Sequence, residues 1–216
     1  MYSLIELFNK VNGGVPYITA DNDVQYCTIR ENDVLYIYLA PSNSELDWKH
    51  NFMFGKRPYK DMKIPYKVHR GFLKCWKTIE DIIIDIIHDI TIRSIIIVGY
   101  SHGGALAMLC HECCWFHRPD IRKYIYGISF EGPRVYASFF VKKQLKERWK
   151  NFINFRNRND IVTHVPPVLF GYTHVGRIIK IKHKDWYGCV KAHYPSHVRQ
   201  ALLEYDLNNN WIKLFE

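Results

Sequence analysis

The sequence contains no apolar run able to cross a membrane. Its longest, Ile79 to Val98, is broken by Glu80, Asp81, Asp85, His88, Asp89 and Arg93, whereas a spanning helix needs about 20 consecutive, predominantly apolar residues. There is also no basic N-terminal segment ahead of an apolar core: Met1-Tyr2-Ser3-Leu4-Ile5 meets a carboxylate at Glu6, which is not the pattern of a secretory leader. Cysteine is scarce. Of six in 216 residues, Cys110, Cys113 and Cys114 crowd into one segment away from Cys27, Cys75 and Cys189, a poor disulfide framework. The expectation is a soluble, intracellular protein with free thiols. Repeats, low-complexity stretches and Gly/Ser/Pro linkers are missing as well, so residues 1–216 are expected to form a single domain.

What is present is an ordinary globular composition, 48% hydrophobic and 24% charged, which excludes disorder, collagen and coiled coil. A chain of this length can bury a sizeable core without a metal or a disulfide. Thirty Lys and Arg against 21 Asp and Glu leave a net charge of +9, a bias toward anionic partners.

Asp33 to Leu39 is a β-branched and aromatic run of strand length, followed by an irregular loop over Ser42 to Phe54. Ile79, Ile82, Ile83, Ile86, Ile87 and Ile90 lie at helical spacing within Phe72 to Ile90, which predicts one amphipathic helix there. Ile95-Ile96-Ile97-Val98 reads as a strand buried on both faces, and Gly103 to His117 as the helix after it. A strand near Tyr124 to Phe130, a basic helix over Ser138 to Lys150, strands at Asn151 to Phe155 and Arg177 to Lys182, and a helix at Ser196 to Tyr205 complete the chain. Strands alternating with helices make the class α/β, with a mostly parallel sheet covered on both sides.

Gly99-Tyr100-Ser101-His102-Gly103 fits G-x-S-x-G between the buried strand and the helix, the context this motif requires. The serine is held at a strained strand-to-helix turn. Side chains at the two flanking positions would strike neighbouring backbone, so both are glycine. Ser101 is the candidate nucleophile, and the backbone N–H of His102 the candidate oxyanion donor at the start of the helix. An acid and then a base should follow in the chain. Asp160 comes after the strand Asn151 to Phe155 and the polar turn Arg156-Asn157-Arg158-Asn159, at a strand's carboxyl end where ligand sites of α/β sheets gather. His193 and His197 compete as the base, with His164, His174 and His183 upstream.

These blocks together resemble the class 3, or fungal-type, lipase family of α/β-hydrolases, from about Asp33 to Leu203. Gly99 to Ala105 resembles that family's G-H-S-L-G-G-A elbow. Val68-His69-Arg70-Gly71-Phe72 is similar to its V-H-x-G-F, Gly132-Pro133-Arg134-Val135 to its G-x-P-R-V-G, and Asn159-Asp160-Ile161-Val162 to its N-D-x-V. Val165-Pro166-Pro167 and Gly171 to Gly176 resemble its L-P-P and G-Y-x-H-x-G stretches. The resemblance implies an α/β-hydrolase fold with a mostly parallel central sheet flanked by helices on both faces. It implies hydrolysis of lipid acyl esters without a cofactor, by Ser101, Asp160 and, by the better fit of Ala192-His193-Tyr194-Pro195 to the family's terminal segment, His193. Ser42, ahead of Asp47-Trp48, aligns with the family's other oxyanion donor, although the Arg and Gly that precede that donor are missing. His102 replaces a leucine, and Tyr136 stands where a glycine is common. The implied partner is a lipid or small ester. Asn51 to Tyr59, aromatic and cationic, suits a lid or a peripheral contact with an anionic membrane surface, and equally a partly buried loop with a solvated charge run.

Three rival readings remain at this stage. A lipase-like domain without turnover would only bind lipid or protein. Cys110, His111, Cys113, Cys114 and His117 offer soft metal ligands, but on a helix whose apolar face should pack beneath the sheet, where cysteines are small core residues; no metal is expected. The basic residues suggest nucleic acid, but they are spread along the chain without a module signature, so no nucleic-acid partner is expected.

Overall fold

The computed structural model describes residues 2–41, 55–60, 66–137, 147–182 and 190–208. Helix α1 (Leu4–Val11) opens the chain behind a capping box, in which the Ser3 hydroxyl accepts from the Glu6 N–H and the Glu6 carboxylate accepts from the Ser3 N–H. Strand β2 (Gln25–Glu31) pairs antiparallel with β1 (Ile18–Thr19) on one side and with β3 (Val34–Leu39) on the other. From β3 onward the main sheet is parallel, through β6 (Ser94–Tyr100), β7 (Ile125–Phe130), β9 (Phe152–Asn157) and β11 (Arg177–Ile181), in the order β1-β2-β3-β6-β7-β9-β11. A second, antiparallel sheet joins β10 (Tyr172–Thr173), β8 (Tyr136–Ala137), β5 (Lys67–His69) and β4 (Lys56–Pro58) in that order.

The period of two along the central strands builds two cores. Leu35, Ile37, Leu39, Ile95, Ile97 and Ile125 face one side, where they meet α2 (Arg70–Trp76), α3 (Glu80–Ile87) and α4 (His102–His117). Tyr36, Tyr38, Ile96, Val98, Tyr100, Ile128 and Phe130 face the other, against α1 and α5 (Pro195–Asn208). Covering both faces explains why β6 reads as an unbroken apolar run. Cys110, Cys113 and Cys114 are buried in the first core, and among the described residues no His, Cys, Asp or Glu group is arranged to hold a metal. No helix among them is long and apolar enough to cross a membrane.

One expectation is corrected. The single helix over Phe72 to Ile90 is two, α2 and α3. At the break, the Thr78 hydroxyl donates back to the Cys75 carbonyl at 2.8 Å, a local bond that competes with the helix. The buried Trp76 indole then donates to the Tyr59 hydroxyl at 2.7 Å and to Glu80 at 3.0 Å, tying the start of α3 beside the end of α2. Only Ile79, Ile83 and Ile87 of the isoleucine stripe are fully buried, each contributing about 1.5–3 kcal/mol; Ile82 and Ile90 are exposed. In Asn51 to Tyr59 the described part is partly buried beside an exposed charged stretch. Lys56 to Pro58 forms the exposed strand β4, and Tyr59 is fully buried, so this part is sheet edge and core. Residues 51–54 of that segment lie outside the described residues, as does most of the basic helix expected over Ser138 to Lys150; 147–150 form a turn.

On α4, Glu112 is buried against Arg148, which is one-quarter exposed. Burial, only partly offset by Arg148, pushes its carboxyl up to about 7. A carboxyl raised in the folded state stabilises fully below its unfolded value near 4.5, and that contribution is lost as pH rises toward 7. Glu112→Gln is therefore expected to flatten the fall in unfolding free energy between about pH 4.5 and 7, a slope on the order of a few kcal/mol. Denaturant unfolding at pH 5 and pH 8 measures it, and an unchanged slope would refute the assignment.

Candidate active site

β6 ends at Tyr100, and α4 begins at His102, leaving Ser101 alone to turn the chain at φ 55 and ψ −118. A non-glycine residue at this φ is strained, and such strain is retained where surrounding structure enforces it. The enforcement is visible in the two glycines. A Cβ on Gly99 would lie 2.1 Å from the Gly103 carbonyl oxygen, and one on Gly103 would lie 2.0 Å from the Leu39 carbonyl oxygen. Only glycine lets strand β3, the turn and α4 approach this closely, which presents the serine hydroxyl above the sheet's carboxyl edge.

Asp160 is carried by the turn after β9, and His193 by the short 3-10 turn Lys191–His193 that precedes α5. Both therefore converge on the carboxyl ends of the parallel strands. His193 Nε2 lies 2.8 Å from Ser101 Oγ, and His193 Nδ1 lies 2.6 Å from Asp160 Oδ2. Asp160 is fully buried, while Ser101 and His193 are 5% and 9% exposed. An ionised carboxylate only accepts, so Nδ1 carries the proton toward Asp160 and Nε2 is left to accept from the serine. The other Asp160 oxygen accepts from the Val162 N–H at 2.8 Å. Tyr100 stacks its ring on that of His193, with centroids 5.5 Å apart, and donates its hydroxyl to the His193 carbonyl. Burial, joined by the negative field of the Glu131 and Asp160 carboxyl pair, holds that phenol well above its usual range. Asn157 donates through Nδ2 to the Ala192 carbonyl at 3.1 Å, linking the acid's turn to the histidine's.

Among the described residues, the other candidate bases face backbone carbonyls. His197 is half-buried on α5 with Nδ1 2.6 Å from the Lys191 carbonyl. His164 Nδ1 is 2.8 Å from the Asp160 carbonyl, and His174 Nε2 is 2.8 Å from the Thr163 carbonyl. A carbonyl only accepts, so each of these rings spends an N–H on bracing the fold. Burial depresses His174 to about 3, fixing it neutral. His183 lies outside the described residues, and so does Ser42. His102 is buried with its ring against Phe72, centroids 5.6 Å apart, and its backbone N–H opens α4. Tyr136, which stands where the family commonly has a glycine, is fully buried in the first core with its hydroxyl on the Met108 carbonyl at 3.1 Å.

Sequence reasoning passed over Tyr100, Asn157 and Glu131. A charged residue directly after the buried strand β7, in Phe130-Glu131-Gly132, was the available signal for the last of these.

A strained serine between a parallel strand and a helix, with its acid and histidine on later turns at the same sheet edge, defines an α/β-hydrolase. The model of the class 3 lipase family matches residues 36–170, which takes in Ser101 and Asp160 and stops before His193. The chain belongs to that family. A lipase of Rhizomucor miehei is 26% identical over 151 residues, covering 66% of this chain and 40% of its own length; this chain spans about two fifths of that relative. A solved Rhizomucor miehei lipase propeptide complex superposes with a TM-score of 0.69 at 21% identity, over 86% of this chain and 65% of that one. A solved triacylglycerol lipase, whose catalytic centre is formed by a serine protease triad, superposes at 0.66 with 21% identity, over 84% and 76%. These likenesses establish the α/β-hydrolase fold, the class expected from the sequence.

Proposed function

We propose that the chain hydrolyses carboxylic esters of lipids, with Ser101 as nucleophile, His193 as general base and acid, and Asp160 as the group that orients His193. The observation that carries this reading is the continuous hydrogen-bonded line from Ser101 Oγ through both nitrogens of His193 to Asp160. His193 Nε2 takes the serine proton as Oγ attacks the ester carbonyl. Asp160 stabilises the imidazolium that forms. The His102 N–H, with Ser42 by family resemblance, stabilises the oxyanion. His193 then protonates the leaving alcohol, leaving Ser101 acylated. Water repeats the sequence in reverse and frees the acid.

Lipid as the substrate class rests on the family and on the surroundings of the triad. Ile161 beside Asp160, and Val190 and Tyr194 on either side of His193, are large side chains at least half exposed. Exposed apolar side chains this near Asp160 and His193 in the chain suit acyl chains better than a polar substrate. The exposed Lys56 and Arg57 of β4 supply cations for an anionic membrane surface, each Lys or Arg near such a surface contributing about 1 kcal/mol.

A series of chromogenic esters of increasing acyl length, with a phospholipid as the last member, tests the proposal. The expected result is turnover that rises with chain length. Binding of lipid without hydrolysis of any member would instead assign a domain that only binds.

A further inference from the structure

A second carboxyl lies directly behind the triad acid. Glu131 follows the last residue of β7 at φ 52, a left-handed backbone that favours glycine, and its side chain is fully buried. Its N–H donates to the Phe155 carbonyl at 2.9 Å. Its two carboxyl oxygens share one donor, the Asn157 N–H, at 2.7 and 2.9 Å. Beyond that, the Glu131 carboxyl lies beside the carboxyl of Asp160, close enough for each to act on the other.

Both carboxyls are fully buried, and two neighbouring buried anions repel too strongly for both to ionise, so the pair keeps one proton that can bridge them. The donors decide where the proton resides. Asp160 has the Val162 N–H on one oxygen and His193 Nδ1 on the other, whereas Glu131 has a single backbone N–H for both of its oxygens. Among the described residues, the charged or titratable groups around this pair are Arg156 on β9, Tyr100 on β6, His193 beyond Asp160, and His164 against the Asp160 carbonyl. One guanidinium balances one carboxylate and leaves none for a second.

We propose that Glu131 is a positioning residue of the site: as a neutral acid it donates its proton to Asp160, fixing that carboxylate toward His193 and keeping the pair at a single negative charge. This rests on the function proposed above, and Glu131 itself touches neither Ser101 nor substrate. Burial first, and the field of Asp160 next, push the Glu131 carboxyl well above the usual carboxylate range. The strained backbone agrees with a residue held for its side chain, since glycine would suit the turn without cost.

Infrared difference spectroscopy of the purified full chain at pH 8, where Glu112 is largely ionised, reads the proton directly. A protonated carboxylic acid band is expected in the wild type and should be lost in Glu131→Gln. The amide keeps both an N–H donor for Asp160 and an acceptor for the Asn157 N–H, so kcat, KM and the acidic limb of the pH profile should stay within about threefold of wild type. Glu131→Ala removes the donor, and kcat should fall about tenfold to a hundredfold with KM little changed and the acidic limb displaced. The proposal is overturned if Glu131→Gln loses no acid band, if it falls in kcat as far as the alanine variant, or if the alanine variant behaves as wild type. Should the alanine variant not fold, the band and the glutamine kinetics still decide. A wild type inactive on every ester would overturn the proposed function, while the band would still report the proton on Glu131.

Discussion

Ser101→Ala is expected to lower kcat/KM on a chromogenic ester by about 10⁴-fold to 10⁶-fold, with the folded state intact. The size of the loss follows from what the hydroxyl would do. Removing it eliminates the acyl-enzyme route and leaves only the oxyanion donors and substrate binding to act on the ester. The fold should survive because the strain at φ 55 is imposed from outside, by the close approach of Gly99 and Gly103 to neighbouring backbone. Alanine inherits that backbone, and the lost hydrogen bond to His193 is worth about 1 kcal/mol. Far-ultraviolet circular dichroism and a melting curve separate a dead site from an unfolded one. A variant that keeps most of its esterase activity would remove Ser101 from the mechanism.

His193→Ala should lose activity on the same scale, while His197→Ala should stay within about threefold of wild type. The two residues are four apart, and in an unbroken helix they would share a face. They do not, because His193 ends a 3-10 turn and α5 begins only at Pro195. The change of direction at Tyr194-Pro195 sends the His193 ring toward Ser101 and leaves that of His197 against the Lys191 carbonyl. Equal losses in both variants, or a loss confined to His197, would contradict this division. Added imidazole offers a second readout, since partial rescue of the His193 variant alone would indicate a missing base.

The elbow was legible because its physics is local. A four-residue apolar run, a serine between two glycines and a following helix say nearly everything about that turn before any tertiary contact is known. Asp160 was legible for a similar reason, a carboxylate in a polar turn just past a buried strand. The choice between His193 and His197 was not, since it depends on where a helix starts within two or three residues, the least certain feature of any sequence reading. The second sheet was hidden as well. Its strands are two or three residues long, and Lys56-Arg57-Pro58 is wholly exposed and cationic, so no alternation marks it. Helix α1 did carry a signal, with Ser3 and Glu6 forming the box and Leu4, Leu7, Phe8 and Val11 forming the buried stripe. The break after Trp76 depended on Tyr59 and Glu80 meeting its indole, a contact between residues 17 and four positions away. Glu131 became significant only when the turn after β9 brought Asp160 against it.

The most direct measurement is the intact mass of the protein after treatment with a fluorophosphonate, which reacts with activated serine hydroxyls. The expected result is one adduct on the wild type, mapped to Ser101, absent from Ser101→Ala and formed far more slowly on His193→Ala. An unlabelled wild type that still hydrolyses esters, or an adduct that persists in Ser101→Ala, would contradict the assignment of Ser101 as the nucleophile.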